Sequence, residues 1–294
     1  MSRAFGPLIS PAQLAEHLGA PNLVVLEVNE RPLVYNQGHI RGAHNVDWHV
    51  DLQDPVLRDV PGAAALRALW SRVGITRASD VVLYGDQHNW YAAYGYWLFR
   101  MFGLKRLAIL DGGRQAWLQA DLPKDRDIPA ALSSTPPNPK LDPSLRASAR
   151  DVVALVRAGG NLVDVRSAAE YRGDIIAEPG YLQEGAQRAG HIPGATHFPW
   201  ELAIADDGRF QGPDRLRELL RGRGLDEGAP AISYCRIGER SAHTWFVLSE
   251  LLGMRDVRNY DGSWSEWGSM VGLPVVKGPE AGALPGSVPS LEAA

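Results

Sequence analysis

The sequence predicts an α/β protein made of two similar domains in tandem, each with a parallel sheet flanked by helices. Two patterns support this prediction. Short apolar strands alternate with stretches whose apolar residues recur at helical spacing, as they do in sheets that are covered by helices on both faces. The second half of the chain also repeats the first, and 294 residues amount to about two domains of typical length.

The internal repeat is clearest around Tyr84-Gly85-Asp86 and Tyr234-Cys235-Arg236, which are 150 residues apart. Seven positions coincide at this offset without a gap: Tyr84/Tyr234, Ala92/Ala242, Leu98/Leu248, Gly103/Gly253, Asp111/Asp261, Gly112/Gly262 and Trp117/Trp267. Upstream, His39–Ala43 and His191–Ala195 share the pattern His-Ile-x-Gly-Ala at an offset of 152. Matched stretches in the same order indicate a duplicated domain.

Each half contains the same predicted elements in the same order. A helix with apolar spacing is followed by a short β-branched strand and the His-Ile-x-Gly-Ala loop. A second helix, a buried strand, a loop, a long helix and a last strand that ends in Asp-Gly complete the domain. The predicted helices are Pro11–Leu18, Ala63–Val73 and Trp90–Phe102, then Ala149–Ala158, Pro213–Arg221 and Arg240–Leu252. The predicted strands are Leu23–Val28, Val81–Tyr84 and Leu107–Leu110, then Leu162–Val165, Ala231–Tyr234 and Val257–Tyr260.

A proline-rich segment separates the two halves. Three prolines fall within four positions of Ser133–Lys140, and they cannot continue a helix or a central strand. We therefore predict a first domain over residues 1–130, a linker over 131–147 and a second domain over 148–277. Residues 278–294 are rich in Pro, Gly, Ser and Ala, and we expect them to form a flexible tail.

Composition and charge exclude several classes of protein. The formal net charge of −4 shows no basic excess, so nothing favours binding to nucleic acid. The first ten residues hold no apolar stretch of signal-peptide length, and no segment approaches the roughly 18 apolar residues of a membrane span. We expect a soluble cytoplasmic monomer with no membrane partner.

Cys235 is the only cysteine, which excludes an internal disulfide and any multi-cysteine metal site. A lone cysteine is often only a small buried hydrophobe. This one, however, follows a predicted strand and precedes a helix, at the sheet edge where open α/β folds bind ligands. Loop amides, a helix N-terminus, Arg236 and Arg240 are expected to favour the thiolate and so to lower the thiol pKa. Gly238 would allow the left-handed backbone that such a loop needs.

The loop Cys235-Arg236-Ile237-Gly238-Glu239-Arg240-Ser241 resembles the active-site loop of the rhodanese, or thiosulfate sulfurtransferase, family. In that family the loop starts with cysteine, often followed by arginine, has glycine at the fourth position and leads into a helix. His191–Ala195 resembles the first signature of the family, and Tyr260–Trp267 resembles the second. The resemblance covers nearly the whole chain and points to two tandem rhodanese-like domains.

The resemblance implies a mechanism. Cys235 would attack the outer sulfur of thiosulfate, release sulfite and pass the sulfur of its persulfide to cyanide or a thiol, with no cofactor and no metal. The residues that we expect to contact the substrate are Arg236, Ile237, Gly238, Glu239, Arg240, Ser241 and Arg166. Two alternatives stay open: 3-mercaptopyruvate as the donor, and delivery of the persulfide to a protein partner.

Three charged residues near this site need an explanation. Arg166 is expected either to face the substrate or to form an ion pair with Asp164 or Glu170. Some family members carry arginine at the position of Glu170, so this site should be less basic than theirs. Glu239 would repel a thiolate if it faced the sulfur, and we expect it to point to solvent or to pair with an arginine.

The first half lacks this chemistry. Gly85 stands where Cys235 stands in the second half, and Gly85–Trp90 contains neither a thiol nor a cation. In tandem members of the family the first domain resembles this one, which implies a structural first domain and one active site per chain.

Two other interpretations are less favoured. Cysteine-dependent phosphatases resemble Cys-x5-Arg, with an arginine that clamps the phosphate, but the required position here is Ser241. A metal site could be imagined at the evenly spaced His39, His44 and His49, but structural loop histidines are the expectation. His243 is expected to be exposed or to cap a helix, and a catalytic role for it is the less favoured alternative.

Overall fold

The computed structural model describes residues 5–180 and 185–292, and the chain divides into two compact units. One unit comprises Met1–Asp142 with Ile204–Phe210, and the other comprises Pro143–Ala203 with Gln211–Ala294. The division between Asp142 and Pro143 lies inside the predicted linker over 131–147. Each unit is built on a parallel sheet with flanking helices, which confirms the predicted fold class.

The first unit has a parallel five-stranded sheet. The strands are β1 (Leu8–Ile9), β2 (Leu23–Asn29), β3 (His39–Ile40), β4 (His44–Asp47), β5 (Asp80–Tyr84), β6 (Leu107–Leu110) and β7 (Lys124–Asp125). The sheet order is β1-β6-β5-β2-β4, and β3 pairs antiparallel with β7. The helices are α1 (Pro11–His17), α2 (Pro32–Asn36), α3 (Trp48–Asp51), α4 (Ala63–Arg72), α5 (Trp90–Met101) and α6 (Gly113–Gln119).

The second unit repeats this order. Its strands are β8 (Asn161–Asp164), β9 (Thr196–His197), β10 (Ala231–Tyr234) and β11 (Val257–Tyr260), arranged as β11-β10-β8-β9. A parallel bridge between Arg146 and Asn259 takes the place that β1 has in the first sheet. The helices are α7 (Ala149–Arg157), α8 (Ala168–Arg172), α9 (Pro213–Arg221), α10 (Glu239–Phe246), α11 (Ser263–Trp267) and α12 (Pro289–Glu292), and α10 continues as a π-helical turn over Val247–Leu251.

The same buried hydrogen-bond network closes both sheets at their carboxyl edge. A tyrosine at the end of the central strand donates to a carboxylate on the neighbouring strand and accepts from the isoleucine N–H of the His-Ile-x-Gly-Ala loop. The residues are Tyr84, Glu27 and Ile40 in the first unit and Tyr234, Asp164 and Ile192 in the second. These contacts explain why the repeat retains a tyrosine immediately before the loop that carries Cys235.

The loop histidine of each repeat has a structural role. His39 stacks on Tyr35 and His191 on Tyr171, with ring centroids 3.8 and 3.7 Å apart. All four residues are buried. Over residues 5–180 and 185–292, no group of three His, Cys, Asp or Glu side chains is placed to hold a metal ion.

The segment that follows Lys277 differs from the flexible tail that the sequence predicts. Val288 is only 1% exposed and belongs to the core of the second unit, where Leu284 and Leu291 also pack. The carbonyl of Ala281 accepts the Gly194 N–H at 2.8 Å. A few apolar residues spaced along a Pro- and Gly-rich segment are therefore enough to anchor it. Within the described chain, no helix combines the length and the apolar character that crossing a bilayer requires.

Candidate active site

Cys235 lies where β10 ends and the loop to α10 begins. Gly238 precedes α10 with φ at +106°, a conformation that L side chains rarely adopt. A Cβ atom at this position would also lie only 2.9 Å from Cβ of Asp261. Glycine is therefore required twice over, by backbone conformation and by the close approach of β11.

The loop directs hydrogen-bond donors at the sulfur, as predicted. The N–H of Gly238 donates to Cys235 Sγ at 3.1 Å. The backbone N–H of Ser241 also favours the thiolate. These groups form the cradle expected for a strand-to-helix loop, and they include two of the predicted site residues.

Residues that follow β11 hold the Cys235 loop in place by hydrogen bonds. The hydroxyl of Ser263 accepts the Cys235 N–H at 3.0 Å and donates to the Tyr260 carbonyl at 2.7 Å. Ser263 adopts a left-handed backbone, with φ at +53°. The N–H groups of Trp264 and Ser265 donate to the carbonyls of Cys235 and Arg236. Sequence reasoning matched this stretch to a family signature but did not identify Ser263 as the residue that binds the Cys235 N–H.

Asn259, on β11 itself, also holds the Cys235 loop in place. Asn259 Nδ2 donates to the Gly238 carbonyl at 3.2 Å, and its Oδ1 accepts from the Ser241 hydroxyl at 2.6 Å. Ser241 thereby links the first turn of α10 to the sheet. The sequence analysis also missed Asn259, because this residue lies in a strand whose sequence is typical of an ordinary core strand.

The whole loop is buried. Cys235 is 0% exposed, and Arg236, Ile237, Glu239 and Arg240 are all 5% exposed or less. Burial explains a correction to the sequence analysis. The pKa of the Cys235 thiol is raised, not lowered, because burial and then the Glu239 carboxylate outweigh Arg240 and the Ser241 hydrogen bonds. The raised pKa favours the thiol as the resting form of Cys235.

Glu239 contributes to that correction. Its carboxylate does not reach solvent: Oε2 lies 3.5 Å from Cys235 Sγ and accepts the S–H, while Oε1 lies 3.7 Å from Nε of Arg240. Of the two expectations, pairing with an arginine is met and exposure to solvent is wrong. The pairing does not turn the carboxylate away from the sulfur.

Arg240 is held by an acid from another helix. Its Nη1 and Nη2 donate to the two oxygens of Glu170 at 2.7 and 3.0 Å, a bidentate pair buried between α8 and α10. Burial tends to raise the pKa of Glu170, but Arg240 and Arg166 outweigh it and bring the pKa down to about 2. Some family members carry arginine at this position. This chain has Glu170 there, and its carboxylate neutralises Arg240.

Arg166 forms the ion pair that the sequence left as one of two alternatives. Its Nε and Nη2 donate to Asp164 at 3.0 and 2.6 Å, Nη2 also donates to the Gly190 carbonyl, and the guanidinium lies 4.6 Å from the ring of Trp264. Both charged side chains are completely buried. Substrate contact by Arg166, which the sequence analysis expected, is therefore not supported in this arrangement.

His243 is also placed differently from the expectation. It is fully buried on α10, and its ring makes an edge contact with Trp200 at 5.9 Å between centroids. It is neither exposed nor a helix cap, because α10 is covered on every side along its first two turns.

The corresponding loop of the first unit is closed. The Oδ1 atom of Asn89 accepts the Gly85 N–H at 3.0 Å, and Asn89 Nδ2 donates to the Leu110 carbonyl. Gln87, His88 and Asn89 all have a positive φ. In this loop the Asn89 side chain binds the Gly85 N–H, whereas the loop of the second unit directs an N–H at the Cys235 sulfur.

Fold and site together define an α/β protein with a cysteine in a strand-to-helix loop of its second repeat. The sequence model described as the rhodanese-like domain matches residues 10–120 and 148–270. The chain belongs to the rhodanese family of sulfurtransferases.

Two curated relatives and one solved structure agree with this. The sulfur carrier protein TtuD of Thermus thermophilus is 46% identical over 93% of this chain and 97% of its own length. A Mycobacterium tuberculosis protein named “Putative thiosulfate sulfurtransferase SseA” is 45% identical over 95% of this chain and 93% of its own. The crystal structure of YnjE matches with a TM-score of 0.82 and 26% identity over 93% of this chain and 69% of that one.

Proposed function

We propose that this protein is a thiosulfate sulfurtransferase that moves sulfane sulfur to cyanide or a thiol through a persulfide on Cys235. The observation that carries the proposal is the placement of the one cysteine at the carboxyl edge of the sheet, with the Gly238 N–H on its sulfur. The relative that is named as a thiosulfate sulfurtransferase supports the choice of donor.

The reaction proceeds in two displacements. The Cys235 thiolate attacks the outer sulfur of thiosulfate, the S–S bond of the donor breaks, and the bonding pair leaves with sulfite. A cyanide ion or a thiolate then takes the outer sulfur of the persulfide and restores the Cys235 thiolate. The loop residues Arg236, Ile237, Gly238 and Ser241 would bind the donor.

In this proposal the first unit has a structural role and no catalytic one. Its loop offers no nucleophile at Gly85, so each chain would carry one active site. A protein-directed role is the second candidate, because a relative with 46% identity is named a sulfur carrier. The carrier and the enzyme share the persulfide and differ in the acceptor.

The test is an intact mass spectrum recorded after thiosulfate treatment. The native protein should gain the mass of one sulfur atom and lose it again on addition of cyanide. The Cys235→Ser protein should gain none, because a hydroxyl is a much weaker nucleophile, and its circular dichroism should match that of the native protein. Sulfur uptake by a folded Cys235→Ser protein would refute the proposal.

A turnover assay separates the two candidates. Repeated conversion of thiosulfate and cyanide to thiocyanate would favour the enzyme. A single stoichiometric charge of persulfide, discharged only by a protein, would favour the carrier.

A further inference from the structure

We propose that Glu239 is the proton acceptor for the Cys235 thiol, so that the proton of the nucleophile stays inside the site during sulfur transfer. The step rests on the proposed function of Cys235. It gives a chemical role to Glu239, a carboxylate that we expected to lie away from the sulfur because it would repel a thiolate.

The geometry supplies the first argument. Glu239 Oε2 accepts the Cys235 S–H at 3.5 Å, and both side chains are buried, at 2% and 0% exposed. Proton transfer along an existing hydrogen bond needs no rearrangement. Arg240 Nε, 3.7 Å from Oε1, helps to fix the orientation of the carboxylate.

The state of the sulfur supplies the second argument. Burial and Glu239 raise the pKa of Cys235, so loss of the thiol proton to water is less favourable than for an ordinary cysteine. An adjacent base is the usual means of activating such a nucleophile. Glu239 is the acceptor that the S–H contacts among the residues that the structure describes.

Charge balance supplies the third argument. A thiol beside a carboxylate and a thiolate beside a carboxylic acid carry the same total charge. Transfer of the proton therefore costs much less in a buried site than release of the proton to solvent, which would leave two adjacent anions.

The proposed step balances in atoms and electrons. The S–H bond breaks, its electron pair stays on Sγ, and the proton moves to Oε2 of Glu239. The thiolate and thiosulfate carry three negative charges in total, and the persulfide anion and sulfite carry the same three. The carboxylic acid then donates a hydrogen bond to the persulfide, and the proton returns to the sulfur after the acceptor has taken the outer sulfur.

Other charged and titratable groups surround the pair. They are Arg236 in the loop, Arg240 and His243 on α10, Glu170 on α8 and Asp261 at the end of β11. Glu170 is paired with Arg240, and Asp261 with Arg146 at 2.7 Å. Since these pairs remain in a Glu239→Gln protein, that substitution isolates the carboxylate next to the sulfur.

The experiment measures how fast iodoacetamide alkylates Cys235 as a function of pH, with intact mass as the readout. Iodoacetamide is uncharged, so its approach does not depend on the charge of residue 239. The native rate should be nearly independent of pH through the neutral range, because the proton moves within the pair. In Glu239→Gln the rate should rise about tenfold per pH unit, since the thiol must then ionise by itself.

Two further variants complete the test. Glu239→Asp keeps a carboxylate and should keep the plateau at a lower rate. Glu218→Gln, an exposed acid on α9, should reproduce the native profile. Circular dichroism and thermal unfolding establish that each protein is folded.

The inference is overturned if Glu239→Gln shows the native profile, or if it reacts faster than the native protein at neutral pH with a flat profile. The second result would mean that Glu239 only suppresses the thiolate. Alkylation involves no sulfur donor, so a plateau that depends on Glu239 without persulfide formation from thiosulfate would refute the proposed function and still support Glu239 as the proton acceptor of the Cys235 thiol.

Discussion

Glu170 shows how one residue changes the electrostatics of the loop. The bidentate bond to Arg240 means that the second arginine of the loop is neutralised by the fold before a substrate arrives. Arg236, next to Cys235, is the loop cation that our proposal relies on to favour an anionic donor. A buried pair of this kind stabilises the unit only while both partners stay charged.

The first prediction concerns the pH dependence of this pair. Because the pKa of Glu170 is lowered to about 2 from an ordinary value of 4.5, its stabilisation is fully present above pH 4.5 and is lost as the pH falls toward about 2. Glu170→Gln should reduce the free energy of unfolding at neutral pH by about 3 kcal/mol, since it leaves Arg240 without its main partner. The difference from the native protein should shrink steadily below pH 4.5. Urea unfolding at a series of pH values measures it, with Glu218→Gln as the control, and a difference that is constant with pH would contradict the assignment.

The second prediction concerns the donor. Mercaptopyruvate enzymes resemble Cys-Gly-Ser-Gly in this loop, whereas this chain has Arg236 and Ile237 before Gly238. Thiosulfate is a compact dianion, and a cation beside the nucleophile stabilises its approach and the departing sulfite. The ratio of kcat/KM should favour thiosulfate over 3-mercaptopyruvate in the native protein. In the Arg236→Gly, Ile237→Ser double variant the ratio should shift toward 3-mercaptopyruvate, and an unchanged ratio would show that these two positions do not set the donor.

At the scale of the elements, the two strand-to-helix loops have diverged on the same framework. The β5–α5 loop satisfies the Gly85 N–H with Asn89, and the β10–α10 loop directs the Gly238 N–H at a sulfur. A Cβ atom at position 85 would lie 2.3 Å from the Val28 carbonyl oxygen. The strand below the first loop therefore leaves no room for a side chain where the nucleophile would be.

The third prediction follows from this contact. The Gly85→Cys, Cys235→Ser double variant should have no sulfurtransferase activity, because the new side chain collides with backbone and its loop offers no cationic cradle. The substitution at position 85 should also lower the free energy of unfolding by about 1 to 3 kcal/mol. Thiocyanate production and chemical denaturation test the two parts, with Cys235→Ser alone as the reference. Restored turnover would show that the duplication argument is wrong.

At the scale of the whole molecule, residues 278–292 are anchored to the core of the second unit by Leu284, Val288 and Leu291. Val288 shares a buried cluster with Val152, Val153 and Leu155 of α7, and Arg157 donates to the Gly286 carbonyl at 3.1 Å. The end of the chain thereby contributes to the stability of the unit that carries Cys235.

The fourth prediction tests that contribution. Val288→Ala should lower the free energy of unfolding by about 1 to 3 kcal/mol, because it opens a cavity in a buried cluster. Val271→Ala removes the same methyl groups at a position that is 90% exposed and should have little effect. Equal effects of the two substitutions in urea unfolding would indicate that residues 278–292 add nothing to the core.

The fold could be predicted from the sequence because it depends on local patterns. The predicted bounds of Ala231–Tyr234, Val257–Tyr260 and Pro213–Arg221 coincide with β10, β11 and α9, where apolar runs or helical spacing end at clear breaks. The short helices α2 and α8 were missed, since five residues do not establish a period. The predicted helix Arg240–Leu252 holds its hydrogen-bond pattern only to Phe246 before the π turn.

For the site, the sequence by itself determined which residue is the one cysteine, which loop holds it and which half of the chain lacks it, and on these it predicted the nucleophile. Only the tertiary structure decided the charge state around the sulfur. Glu170 and Arg240 lie 70 residues apart in the chain, and neither their bond nor the turn of Glu239 toward Cys235 follows from spacing. Counting nearby cations predicted a lowered thiol pKa, but burial, which depends on the packing of the whole unit, reverses that sign.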